Sequence, residues 1–264
     1  MKETFRSIEQ SNPSYGIRNL HFVTIKSPQL GTRGDICIYI PENCPMDAPV
    51  VILLHGVYGS AWSWPLSSGV HEQVDQAIKE GIIKPLILVM PSDGLWGDGS
   101  GYVKHQEQDF EKWIVEDVIA VARQLAPDQI SQASKFFIAG LSMGGYGAMR
   151  IGARHPDVFT SFAGLSSITR IAEFAHFVEE DLSSYQMDTE LSLIDSLIAN
   201  QERLPYFRFD CGKDDLLLAY NRKLHSKLLE ANIPHDYEEF EGGHSWDYWK
   251  NNIMKTILFF NLRF

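Results

Sequence analysis

Cysteine is scarce in this chain: among 264 residues there are three, Cys37, Cys44 and Cys211, widely spaced and without a C-x-x-C unit. They cannot all pair, which argues against a disulfide scaffold and for a reducing, cytoplasmic setting. Basic residues are also in deficit. Lys and Arg number 23 against 34 Asp and Glu, a formal charge of −11 at pH 7. Phosphate binding needs a basic face, so nucleic acid is disfavoured as a partner, and an anionic membrane surface is disfavoured for the same reason. No uninterrupted apolar run approaches the ~20 residues of a membrane span. Residues 1–12 are polar and charged and lack the apolar core of a secretory signal. Internal repeats, a phosphate loop and a dinucleotide fingerprint are absent as well. His55, His71 and His105 lack the paired spacing with carboxylates that zinc prefers. No metal and no cofactor is therefore expected.

What is present is an alternation of strands and helices. Two β segments, 20–26 and 35–40, open the chain around Gly31 and Gly34. In the second, Ile36, Ile38 and Ile40 alternate with Cys37 and Tyr39, the period of a half-exposed strand, so these read as antiparallel strands at a sheet edge. Short apolar runs follow at 50–54, 86–90, 136–139, 159–164 and 206–209, as suits strands covered on both faces. Between them lie amphipathic stripes: Phe110, Trp113, Ile114, Val118, Val121, Ala122 and Leu125; then Leu217, Tyr220, Leu224 and Leu228; then Trp249, Ile253, Ile257 and Phe260. The pattern predicts one α/β domain over 1–264, with a mostly parallel central sheet and helices on both faces. Ligands should bind beyond the carboxyl ends of the strands. Residues 166–204 break the alternation. They lack a clear strand and are rich in acids, among them Glu173, Glu179, Glu180, Asp188 and Glu190. This stretch reads as a small helical insertion near the site; a solvated acidic face with no part in substrate choice is the equal alternative.

The chemistry is concentrated in Gly140-Leu141-Ser142-Met143-Gly144-Gly145, between an apolar strand and a helix-compatible segment. A serine between two glycines at such a junction reads as a nucleophile elbow. The turn is sharp, so the positions two before and two after the serine need minimal side chains, which Gly140 and Gly144 supply.

A serine hydroxyl needs a base, and the base needs an orienting acid, in the chain order serine, acid, histidine. Five histidines follow Ser142: His155, His176, His225, His235 and His244. His155 ends the elbow helix, His176 sits in the insertion, His225 is mid-helix, and His235 starts a strand at the wrong end of the sheet. His244 lies in a glycine-bearing loop between the last strand and the last helix, which fits a general base. The acid should leave the preceding strand, where Asp210, Asp214 and Asp215 compete. Asp210 is still within the strand and could be a structural hydrogen-bonder. Asp214 and Asp215 follow the turn, and either could instead cap the next helix. The residues alone do not separate those two. For the oxyanion, one donor should be the Met143 N–H at a helix N-terminus. The other should come from the loop after strand 50–54, where Val57 is the choice. His55 precedes the serine and is read as a brace for that loop.

The chain resembles the esterase D-like group of α/β-hydrolases, which includes tributyrin-type esterases, S-formylglutathione hydrolase and the mycolyltransferases. The resemblance runs from about Leu20 to the C-terminus. It is carried by His55-Gly56, residues 110–117 and 140–147, His155-Pro156, residues 211–215 and Gly243-His244-Ser245-Trp246. It implies the α/β-hydrolase fold, Ser142 as nucleophile, Asp215 as acid and His244 as base, with Val57 and Met143 as oxyanion donors. Asp215 is favoured over Asp214 because the group's acid follows the turn glycine by three positions. Dimers are frequent in the group, so a homodimer is compatible with it. The segment after Phe162 departs from the formylglutathione branch, which argues against S-formylglutathione as substrate. Residues 92–105, with four glycines and Trp96, also depart in form from the resemblance.

The expected activity is hydrolysis of a small carboxylic ester through a serine acyl-enzyme. The alternatives are acyl transfer of the mycolyltransferase type and a non-catalytic binding module on the same fold. Trp62, Trp64, Trp96 and Trp246 lie in loops on the site's face or beside the base, where they could grip a sugar or aryl group, or simply pack those loops.

Overall fold

The computed structural model describes residues 5, 8–185 and 192–264. Ile8–Gln10 (β1), Leu20–Lys26 (β2) and Arg33–Tyr39 (β3) form an antiparallel ladder. Val50–Leu54 (β4), Val70–Lys79 (α1) and Ile87–Pro91 (β5) follow. A two-residue hairpin, Lys104–His105 (β6) with Gln108–Asp109 (β7), leads into Phe110–Lys112 (α2) and Ile119–Leu125 (α3), joined by a π-helical segment, Trp113–Val118. The chain continues through Phe136–Leu141 (β8), Met143–Arg154 (α4), Phe159–Leu165 (β9), Leu193–Ala199 (α5), Phe207–Gly212 (β10), Leu218–Glu230 (α6), Asp236–Phe240 (β11) and Trp246–Asn261 (α7).

The strand order is β1-β2-β3-β5-β4-β8-β9-β10-β11. From β5 onward every pairing is parallel. β4 and β8 are neighbours whose following strands lie on opposite sides, so the sheet has its topological switch point between them, where a crevice opens beyond the strand ends. The antiparallel N-terminal edge is present, with the short β1 outermost. β3 departs from the half-exposed reading: Cys37 and Tyr39 are as buried as Ile36 and Ile38. Ile36 and Ile38 belong to one core, with Trp113, Ile114 and Met149, and Cys37 and Tyr39 to the other, with Val74, Ile253 and Ile257. Helices cover both faces, so the alternation along β3 marks two cores and not a core and solvent.

The π-helical segment is anchored by polar contacts. Trp113 Nε1 donates to the Ser92 carbonyl at 2.8 Å, and the buried Asp117 carboxylate accepts from Ser27 Oγ. Between β9 and β10 the described residues form two 3₁₀ turns, Ile171–His176 and Leu182–Ser184, then α5, with one isolated bridge between Arg170 and Ser192. Asp188 and Glu190, read from sequence as part of this acidic stretch, lie outside the described residues. No described helix is long and apolar enough to cross a membrane.

Candidate active site

Four parallel strands deliver the expected site residues at their carboxyl ends. β8 runs directly into Ser142, which stands at φ 53° and ψ −119°, a conformation that costs energy in a non-glycine residue. Packing explains why the flanking residues are glycine. A Cβ on Gly140 would overlap the Gly144 carbonyl, and one on Gly144 would overlap the carbonyl oxygens of Leu54 and His55. Both obstacles are backbone and cannot turn aside. Gly144→Ala is therefore expected to cost about 3 kcal/mol, the upper end of overpacking penalties. Chemical denaturation checks this; a midpoint equal to wild type would contradict it.

His244 follows β11, and its Nε2 lies 2.9 Å from Ser142 Oγ. Its Nδ1 lies 2.9 and 3.2 Å from the two Asp215 oxygens. Nδ1–H therefore donates to the carboxylate, leaving Nε2 free to accept the serine proton. Asp215 follows β10, and its carboxylate has no exposure. It also accepts the Leu217 N–H at 2.8 Å. Asp214 is exposed. Asp210 is buried between Arg208, at 3.1 Å, and the Tyr248 hydroxyl, at 2.8 Å. Burial pushes its carboxyl up to about 6. Asp210 is thus engaged away from His244, in a structural hydrogen-bond pair.

The other histidines are occupied elsewhere. His155 bonds Glu111 at 2.7 Å, His176 meets the Tyr220 hydroxyl at 3.2 Å, and His225 pairs with His235 at 2.8 Å. His55 is buried, and burial lowers its basicity. Its Nε2 accepts the Asp93 N–H at 3.0 Å while Nδ1–H donates to the Gly56 carbonyl at 2.7 Å. It ties the loop after β4 to the loop after β5.

Ser142 opens into a cleft of about 280 Å³, lined by Val57, Tyr58, Trp62, Phe177, His244, Trp246 and Trp249 among others. Met143 begins α4, so its N–H has no acceptor within that helix. Trp62 is half exposed and, with Trp246, lines the cleft. Two of the proposed gripping residues do not. Trp64 is 1% exposed, and its Nε1 donates to the Leu54 carbonyl at 2.9 Å, which makes it a core residue behind Trp246. Trp96 is stacked on His105 at 4.2 Å and wedged edge-on against Tyr185 and Phe110. It packs its own loop and is not among the cleft-lining residues. Tyr58, Phe177 and Trp249 also line the cleft, and no motif marks them as site residues. Trp249 belongs to the amphipathic stripe of α7, and its closeness to His244 in the chain is the signal that points to it. Among the described residues, no group of three or more His, Cys, Asp or Glu side chains is placed to hold a metal ion.

A strand-to-helix serine on a mostly parallel sheet with this order defines an α/β-hydrolase fold. The Esterase family model ("Putative esterase") matches residues 27–260. The chain belongs to this family, within the esterase D-like group, and is a carboxylic-ester hydrolase. It is 28% identical over 225 residues to an acetyl esterase of Caldicellulosiruptor saccharolyticus, covering 78% of this chain and 80% of that one. It is 30% identical over 166 residues to an endo-1,4-beta-xylanase/feruloyl esterase of Xylanibacter ruminicola, covering 59% of this chain but 22% of that much longer protein. Among solved structures, a ferulic acid esterase superposes with a TM-score of 0.78 at 22% identity, covering 98% of this chain and 99% of the other. At that identity the likeness speaks for the fold.

Proposed function

We propose that the chain hydrolyses small carboxylic esters, a short acyl group on a sugar or aryl alcohol, through an acyl-enzyme on Ser142. The observation that carries this is the continuous hydrogen-bonded line from Ser142 Oγ through His244 to Asp215, at 2.9 Å per step, opening on an aromatic cleft. His244 Nε2 takes the serine proton as Oγ attacks the ester carbonyl, and Asp215 holds the imidazolium that forms. The N–H groups of Val57 and Met143 receive the oxyanion. His244 then returns the proton to the departing alkoxide. A water activated by the same nitrogen cleaves the acyl-enzyme. The short acyl group is in keeping with the acetyl esterase relative, and an aryl or sugar alcohol with stacking on Trp62 and Trp246.

Burst kinetics on p-nitrophenyl acetate test the reading. Wild type should release a stoichiometric burst and be labelled by a fluorophosphonate. Ser142→Ala should lose both, with kcat falling roughly 10⁶-fold. No turnover and no label in the wild type would refute it. Added alcohol separates hydrolysis from transfer, because an acceptor would appear as a new ester.

We also read 1–264 as one hydrolase domain in which 166–204 is an insertion beside the cleft. The Tyr58 hydroxyl bond to the Phe177 carbonyl, at 2.9 Å, supports that placement. The three free thiols support a reducing cytoplasmic setting.

A further inference from the structure

Phe177 comes from the stretch between β9 and β10, yet its ring stacks on His244, with centroids 4.9 Å apart and planes inclined by 28°. Trp249 meets the same imidazole edge-on at 5.0 Å. The His244 side chain is left only 14% exposed.

A set of specific bonds holds Phe177 there. Its carbonyl accepts from the Tyr58 hydroxyl at 2.9 Å, and the Tyr58 N–H donates to the Asp98 carbonyl at 2.9 Å. The Asp98 carboxylate accepts the Glu179 N–H at 2.7 Å, while the Glu180 carboxylate accepts the Asp98 N–H at 2.7 Å. Asp98 sits between two glycines with little room around them. A Cβ on Gly97 would strike the Glu180 carboxylate, and one on Gly99 would strike the Met143 sulfur and crowd Val57. One turn thus abuts both the strap that carries Phe177 and the two residues named above as oxyanion donors. It lies within 92–105, the stretch that departs in form from the resemblance.

The position of Phe177 has a chemical consequence. His244 hands its proton to the departing alkoxide, so the alcohol leaves past the imidazole. A ring that covers this imidazole borders the alcohol's path and not only the acyl pocket. We propose that Phe177 is a specificity-determining wall on the alcohol side of the cleft, and that Asp98 is the positioning residue that holds it in place. The proposal rests on the acyl-enzyme reading above.

Acetate esters of different alcohols pass through one common acetyl-enzyme, so acylation alone senses the alcohol. Relative to wild type, Phe177→Ala should raise kcat/KM for 4-methylumbelliferyl acetate over that for ethyl acetate by about tenfold, the scale on which an apolar pocket discriminates size. Ratios among p-nitrophenyl acetate, butyrate and octanoate should stay as in wild type. Asp98→Ala should move the alcohol ratio in the same direction. Asp98→Asn keeps an oxygen for the Glu179 N–H and should retain the wild-type ratio. Fluorophosphonate labelling of Ser142 identifies the variants that are folded. An unchanged alcohol ratio in labelled Phe177→Ala, or a change confined to the acyl series, overturns the wall. Asp98→Asn behaving like Asp98→Ala overturns the clasp. A wild type that neither labels nor turns over any ester overturns the acyl-enzyme reading and the wall together.

Discussion

Asp215→Asn is expected to lower kcat roughly 10⁴-fold while the protein stays folded. The reason lies in the second bond that Asp215 makes. One carboxylate oxygen accepts the Leu217 N–H at 2.8 Å as well as facing His244. A backbone donor in a buried turn demands an acceptor. In the Asn variant the single remaining oxygen goes to Leu217, so the NH₂ group faces His244 Nδ1. That nitrogen must then accept, the proton moves to Nε2, and the imidazole can no longer take the proton of Ser142. Single-turnover acylation by p-nitrophenyl acetate, with circular dichroism to establish folding, measures the loss. A folded Asn variant within tenfold of wild type would show that Asp215 does not set the tautomer.

The largest effect on stability is expected at Glu111. This α2 residue receives Arg150, Arg154 at 3.1 Å and His155 at 2.7 Å, all from α4 or its end. Burial alone would raise its carboxyl, but the His155 bond and the charges of Arg150 and Arg154 hold it down at about 2. Arg150 is only 2% exposed. Glu111→Gln would remove the negative charge that Arg150, Arg154 and His155 share and should cost about 3–5 kcal/mol, read as a lower denaturation midpoint. The pH dependence has a definite sign. The unfolded carboxyl titrates near 4.3, above the folded value. Its stabilisation, about 3 kcal/mol, is therefore fully present above that pH and is lost as pH falls toward 2. The variant should show a shallower loss of stability across the same acid window. Parallel acid-unfolding curves would count against the ion-pair hub. Because the hub grips the helix that starts at Met143, it also fixes the elbow from behind.

Much of this molecule is written in its local patterns. The bounds of β2 and β4 follow from apolar runs ended by turn residues. Ser142 and His244 follow from element order and from glycines whose small size the backbone of Leu54 and Gly144 requires. The acid was harder. Helix capping and orienting a histidine are rival duties for Asp214 and Asp215 in sequence. In the structure α6 has no side-chain cap, Asp215 faces His244 and accepts the Leu217 N–H ahead of the helix, and Asp214 is exposed. Tryptophan type gave no guide to lining against packing. Trp62 and Trp64 differ by two residues, yet one is open to the cleft and the other is buried with its N–H bonded to Leu54. Phe177 was out of reach because nothing in a strandless, acidic stretch marks which ring will return to a histidine 67 residues later, and only the fold brings them together.

The partners of the central bond, Ser142 and His244, are 102 residues apart in the chain. Three further strand-and-helix units separate them, and the loop that holds His244 is fixed only when the last strand and last helix have docked. Closing a loop of that length carries an entropic cost that grows with its length. A chain that has formed its other helices and strands but has not docked the last strand and last helix has no His244 beside Ser142. On the acyl-enzyme reading proposed above, such partly folded forms are chemically silent.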